Sequence, residues 1–374
     1  MAENRIGIVG GGQLGRMLTE AAKPMGFEVT VLESGDNPPA VQAGARQIEG
    51  SIKDAEAIAE LARQTDVLTW EIEHINVAAL IALAEQGYDI QPSPETLKII
   101  HDKLAQKTFL KNHGIPVAPF YEIDGEADLQ AAITESGTGL IVKSRFGGFD
   151  GRGNLDLDVA DWQSVTDQFE GQPIYAEKKV SFQKEVALIA ARDKVGNVDA
   201  FPLVETMHQN GICDIVTMPV SGIPTETWFE ATQLGTETTS YLQGAGVFAI
   251  EMFITDDGGV LVNEIAPRVH NSGHLTMEAT RTSQFEQHVR AIAGLPLGSS
   301  EQISSAAMAN ILYGPVSLGG VKKVLSLPDV HLHLYGKQPR PDSPRKIGHI
   351  TARASVPSAA RSLAVKAREE LTNG

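Results

Sequence analysis

Two glutamates carry the first chemical signal in the chain. The stretch from Val247 to Arg268 reads as a β-hairpin closed around Asp257-Gly258. A loop of either two or four residues pairs positions whose numbers sum to a constant. That constant sets Glu251 directly opposite Glu264, with both side chains on one face. Their neighbours include Phe248, Ile250, Phe253 and Ile254, so the strands read as central rather than peripheral. Two opposed carboxylates there repel each other unless a cation lies between them. A divalent ion resolves the conflict, and Mg²⁺ suits a few carboxylate ligands completed by phosphate oxygens and water. A solvated sheet face is the competing reading, but Asn263 beside Glu264 and the polar run that follows favour the metal.

That run is Ala266-Pro267-Arg268-Val269-His270-Asn271-Ser272-Gly273-His274. Arg268, His270 and Asn271 supply a guanidinium fork, an imidazole and an amide close behind the metal carboxylates. Such donors suit a small planar anion and the oxygens of a phosphoryl group in transfer. Upstream, Leu140 to Lys143 places a lysine at the end of an apolar strand. Gly147-Gly148-Phe149-Asp150-Gly151-Arg152-Gly153 follows, a loop whose free amides can fold over phosphates and exclude water. Lys103 and Lys107 are four apart on one helix and offer further cations, with Lys107 reading more naturally as part of a solvated face. Glu177 and Lys178 end a strand whose backbone can meet an adenine edge, and Glu185 can meet ribose hydroxyls.

At the N-terminus, Gly10-Gly11-Gly12-Gln13-Leu14-Gly15 joins a strand to a helix, and Glu33 ends the next strand. This is the outline of a dinucleotide-binding turn, so a nicotinamide oxidoreductase is a rival reading. The same turn can instead hold another anion, such as a sugar phosphate, at the helix N-terminus.

The elements that carry these residues fall into three regions. The first hundred residues alternate strand and helix, with strands at Arg5 to Val9, Glu28 to Leu32 and Asp66 to Trp70, which predicts a parallel α/β domain. Ser93 reads as the N-cap of a helix that runs to about His113, with Pro94 in its first position. The middle third turns to antiparallel strands with a helix from about Thr225 to Leu242, an α+β pattern. Short strands and a final helix from Ala359 to Leu371 make up the remainder.

Composition narrows the function. At 374 residues the chain exceeds one ordinary core, and its net charge of −16 argues against nucleic acid as a partner. No apolar run has the roughly 18–20 residues that a membrane span needs. The first residues lack the apolar stretch of a secretion signal, and Cys213 is the only cysteine, so a reducing cytoplasm is expected.

Several of these motifs together resemble one family. Gly12-Gln13-Leu14-Gly15-Arg16-Met17, Thr69-Trp70-Glu71-Ile72-Glu73, Gly148 to Gly153, Asn263 to His274 and Arg345-Lys346-Ile347-Gly348-His349 are similar to the N5-carboxyaminoimidazole ribonucleotide synthases of the ATP-grasp superfamily. The resemblance implies a three-domain ATP-grasp protein: a Rossmann-like domain over residues 1–98, an ATP-grasp domain over 99–294 and a C-terminal domain over 295–374. It implies that ATP phosphorylates bicarbonate and that the amine of 5-aminoimidazole ribonucleotide is then carboxylated. ATP contacts would fall on Lys103, Lys143, the loop Gly148, Phe149, Asp150, Gly151, Arg152, Gly153 and Asn154, then Glu177, Lys178, Lys179, Val180, Glu185, His208, Asn263 and Glu264. Magnesium would sit on Glu251 and Glu264. Asp150, Arg152, Arg268, His270 and Asn271 would be catalytic, while Gln13, Glu73, Arg345 and Lys346 would join the last three in meeting substrate. A homodimer is expected by the same resemblance. Phe149 stands where the family commonly has tyrosine, and Lys103 where it has arginine, which keeps the charge but loses the planar fork. Related carboxylating and formylating ATP-grasp enzymes compete with this reading, as does a non-enzymatic nucleotide sensor on the same fold.

Overall fold

The computed structural model describes residues 4–148, 153–312, 316–337 and 345–372, so Phe149, Asp150, Gly151 and Arg152 lie outside the described residues. Three sheets organise these residues. The first is parallel, in the order Arg46–Glu49, Glu28–Glu33, Arg5–Val9, Val67–Trp70. Its central strands are almost fully buried, as expected when helices cover both faces. The predicted α/β domain is therefore present.

A four-stranded antiparallel sheet follows, in the order Phe120–Ile123, Ile174–Lys178, Leu140–Ser144, Asn154–Leu157. The largest sheet runs Val260–Ala266, Gly246–Thr255, Phe182–Arg192, Val204–Gln209, Ile212–Met218, Ser305–Ile311, Gly348–Ala354, Val330–Leu334. Ser305–Ile311 pairs antiparallel with Ile212–Met218, so the strands of the C-terminal third continue the central sheet instead of forming a separate one. The final helix, Pro357–Thr372, packs on this extension and buries Ala360, Ala364, Ala367 and Leu371 on one stripe. Arg368 reaches back from it to Asp214 and to the Asn310 carbonyl.

The single helix expected from Ser93 to His113 is in fact two, Pro94–His101 and Lys103–Asn112. Ser93 caps the first, as its sequence position suggested. Asp102 leaves the helical region with φ −100° and ψ 108°, and its carboxylate caps Leu104 and Ala105 while taking Arg145 at 2.5 Å. An aspartate that satisfies two orphan amides and an arginine gains more at a helix start than within a helix. The break aims the second helix between the two antiparallel sheets.

Candidate active site

The hairpin Gly246–Thr255 and Val260–Ala266 places Glu251 opposite Glu264, but by a different route from the one expected. The loop spans three residues, with Thr255 N donating to Gly259 O at 2.9 Å and Gly258 at φ +88°. Counting outward from it would match Glu251 with Asn263. A β-bulge at Asn263 absorbs one residue, so Met252 faces Val262 while Glu251 faces Glu264. Bulges re-aim side chains at functional sites, and this one turns Asn263 and Glu264 toward the cleft together.

Glu264 is held from the other side by Lys103, whose ammonium donates to both oxygens at 2.9 and 3.0 Å. Burial alone would raise the Glu264 carboxyl, but the Lys103 charge outweighs it and keeps it below the usual range. Glu251 has no such lysine of its own. Burial and the facing Glu264 charge push it up to about 7. Among the described residues no group of three metal-ligating side chains occurs, so any cation here must take further ligands from a substrate or water.

Helix Lys103–Asn112 bridges the two sheets. It offers Lys103 to Glu264 and, one turn on, Lys107 to Glu177. The expectation of a solvated Lys107 is wrong: the residue is 2% exposed, on the face shared with Leu104 and Leu110. Glu177 also accepts from Lys143 at 2.9 Å and from the Tyr175 hydroxyl at 2.5 Å. Lys178 N donates to Pro119 O and Lys179 N to Gly139 O, while the Lys179 side chain reaches Asp156 and Asp158 at the surface. The glycine-rich loop is pinned at its base, where Ser144 N donates to Gly153 O at 3.0 Å and Lys143 faces Asn154. Gly147, Gly148 and Gly153 all take positive φ at its two ends.

Glu185 does not stand alone for a ribose, since it hydrogen-bonds His208 across the sheet. Burial works against a charged His208, but Glu185 outweighs it and raises its pKa. Arg268 forms an ion pair with Glu73 at 2.8 Å, which ties the loop after the facing glutamates to the N-terminal domain. His270 Nε2 lies 3.6 Å from Glu251 Oε1. Burial, then the charges of Arg268 and Lys346, hold this imidazole well below its ordinary pKa. Its Nδ1 lies 2.8 Å from the Ser272 hydroxyl and 3.4 Å from the Ser272 amide, which fixes the ring with Nε2 toward Glu251. Asn271 is committed elsewhere: its amide exchanges two hydrogen bonds with Asn310, at 3.0 and 2.8 Å, which stitches the loop to the C-terminal strands.

Lys346 precedes strand Gly348–Ala354, and its charge contributes to lowering the pKa values of His270 and His274. Ile347 fixes the Arg345-Lys346 segment by donating to Ile311 O and accepting from Tyr335 N. Gln13 opens helix Gln13–Ala22. The amides before it do not wait for a ligand: Glu71 accepts from Gly12 N and from Gly15 N, and Glu33 accepts from Gly11 N at 3.0 Å. Sequence reasoning assigned Glu71 no role. Nothing in the spacing pointed to it, because the contact crosses from one parallel strand to the next turn. Lys107 had a readable signal, a lysine on the apolar stripe of its helix.

Three family models match in order along the chain: a ribonucleotide synthetase preATP-grasp domain at residues 3–101, an ATP-grasp domain at 108–285 and a phosphoribosylaminoimidazole carboxylase C-terminal domain at 306–362. The N5-carboxyaminoimidazole ribonucleotide synthase of Brucella melitensis is 42% identical over 349 residues, covering 92% of this chain and 95% of that one. The chain belongs to the N5-carboxyaminoimidazole ribonucleotide synthase family. A member from Aspergillus clavatus, solved with ADP and 5-aminoimidazole ribonucleotide, superposes with a TM-score of 0.91 at 34% identity, over 100% of this chain and 99% of that one. The phosphoribosylaminoimidazole carboxylase of Ogataea methanolica is also 42% identical, but the match covers 94% of this chain and only 66% of that longer protein. Membership in this ATP-grasp family removes the nicotinamide oxidoreductase reading of the N-terminal glycines. The internal carboxylates at that turn give the physical reason.

Proposed function

We propose that the chain uses ATP and bicarbonate to carboxylate 5-aminoimidazole ribonucleotide, yielding N5-carboxyaminoimidazole ribonucleotide, ADP and phosphate. One observation carries this reading. Two opposed glutamates, one raised to about 7 by burial and by the charge of the other, lie beside Lys103 and the Arg268–His270 loop. The names of the Brucella relative and the Aspergillus complex supply the substrates.

Mg²⁺ fits Glu251 and Glu264, because a divalent charge relieves their repulsion and leaves room for phosphate ligands. When bound it neutralises phosphate charge during transfer. Lys103 and Lys143 are the cations placed to meet the nucleotide phosphates, and the backbone from Glu177 to Val180 the adenine. Asn263, Glu185 and His208 complete the nucleotide side. The segment Gly148 to Asn154, whose sequence includes Asp150 and Arg152, would cover the phosphates and exclude water. A bicarbonate oxygen attacks the γ-phosphorus, and ADP leaves. Arg268 and His270 hold the carboxyl oxygens. The exocyclic amine then attacks that carbon, or CO₂ released from it, and phosphate departs. Gln13, Glu73, Arg345 and Lys346 hold the ribonucleotide, while Asn271 shapes the loop through Asn310. We further take the domains as residues 1–98, 99–294 and 295–374, the assembly as a homodimer and the setting as the cytoplasm, following the family and the single cysteine.

The test is phosphate release from ATP with magnesium, measured with and without 5-aminoimidazole ribonucleotide and with labelled bicarbonate. Stimulation by the ribonucleotide with label entering an acid-labile product is expected. A rate indifferent to both would overturn the reading.

A further inference from the structure

Lys107 and Lys143 share one carboxylate, yet only one of them can reach the cleft. Glu177 Oε2 accepts from Lys143 Nζ at 2.9 Å, and the Lys143 side chain is 14% exposed. Glu177 Oε1 faces Lys107 Nζ at 3.2 Å, and that side chain is 3% exposed. The Lys107 ammonium has no well-aligned hydrogen bond, so charge rather than directed donation ties it to Glu177. The carboxylate itself is 4% exposed and takes a further hydrogen bond from Tyr175.

An ammonium this deeply buried is costly unless it answers a charge nearby. Position 107 lies between Leu104 and Leu110 on the apolar stripe of its helix, where a leucine or methionine would pack without that cost. Lys143 and Glu177 alone cancel, which leaves no charge for a phosphate. Lys107 brings the trio to a net charge of +1. It also decides what happens when Lys143 turns away toward a ligand, because Glu177 would otherwise be left as a buried, unpaired anion.

The geometry points to Lys107 as a positioning residue that keeps Glu177 neutralised, so that Lys143 is released to the nucleotide phosphates. This rests on the proposed reading, in which the ligand of Lys143 is ATP. Lys107 itself touches no substrate. Burial pushes its pKa down and Glu177 works against that, while Lys107 and Lys143 hold Glu177 well below the carboxylate range against the opposing effect of burial. The assignment itself rests on geometry, two ammoniums at 2.9 and 3.2 Å from opposite oxygens of one buried carboxylate.

A double-mutant cycle read by calorimetric binding of Mg-ATP tests the idea. Lys107→Met keeps the length of the side chain and removes its charge, and it is expected to raise the ATP Kd roughly tenfold to hundredfold. In a Glu177→Gln background the same change should raise it by less than about threefold, because a neutral amide needs no compensating cation. A purely structural lysine would show no such rescue. If Lys107→Met does not fold alone, recovery of folded, ATP-binding protein on adding Glu177→Gln supports the inference, and failure to recover overturns it. Equal affinity of Lys107→Met and wild type, or a loss that Glu177→Gln does not relieve, overturns it as well. A wild-type chain that binds no Mg-ATP would overturn the functional reading, and this inference with it.

Discussion

Replacing Glu251 by glutamine should make the metal-free protein more stable while abolishing its turnover. The two carboxylates face each other across the hairpin, and Lys103 answers only Glu264. Burial, then the Glu264 charge, moves the Glu251 carboxyl from an ordinary value of 4.5 up to about 7, with Glu185 adding to the rise and His208 and Lys103 opposing it. Well below pH 4.5 the group is protonated in folded and unfolded chains alike and contributes nothing. Between about 4.5 and 7 the folded chain holds a proton that the unfolded chain has lost, so stability falls as pH rises. Above about 7 the loss is complete, at about 1.4 kcal/mol per power of ten, or about 3 kcal/mol in all. Glutamine carries no charge and avoids this cost. Urea denaturation in EDTA should show Glu251→Gln ahead of wild type by roughly 1–3 kcal/mol at pH 8, with the gap under about 1 kcal/mol near pH 5. Magnesium with ATP should then stabilise wild type and leave the variant almost unmoved. Equal or lower stability of the variant at pH 8, or a gap that does not widen with pH, would refute the reasoning.

Glu264→Gln removes the other carboxylate and strands Lys103, so turnover should fall by orders of magnitude; near-normal turnover at saturating magnesium would exclude Glu264 as a ligand. Lys346→Ala should raise the KM for the ribonucleotide or bicarbonate roughly tenfold to hundredfold with ATP nearly unaffected. Three unchanged Michaelis constants would reduce Lys346 to surface charge. Asn271→Ala removes both hydrogen bonds to the buried Asn310 amide, and should cost about 1–3 kcal/mol of stability in denaturant titrations. NADH should show no saturable fluorescence change at micromolar concentration, because Glu71 and Glu33 already occupy the turn amides.

The chemistry of the site was legible where it depends on neighbours in sequence. Period-two patterning and a turn near Asp257-Gly258 are local, so the hairpin that carries Glu251 and Glu264 was legible in the chain alone. The bulge that makes the pairing true was not, because an extra residue in a ladder leaves no mark beyond an asparagine. The helix break at Asp102 was missed for a related reason. Its capping role depends on Arg145, which arrives from another sheet.

What the sequence by itself determined is the order of the elements, the glycine-rich segment after Lys143, the two glutamates of the hairpin and the donor run that follows them. Each of these is set by spacing along a few residues, where backbone geometry leaves little freedom. Only the tertiary structure decided which charges answer which. Lys107 is buried on Glu177, Glu71 fills the helix N-terminus, Asn271 is joined to Asn310, and Arg268 pairs with Glu73. Such pairings depend on where distant strands and helices meet, and electrostatic energy varies with that distance and burial rather than with position in the chain.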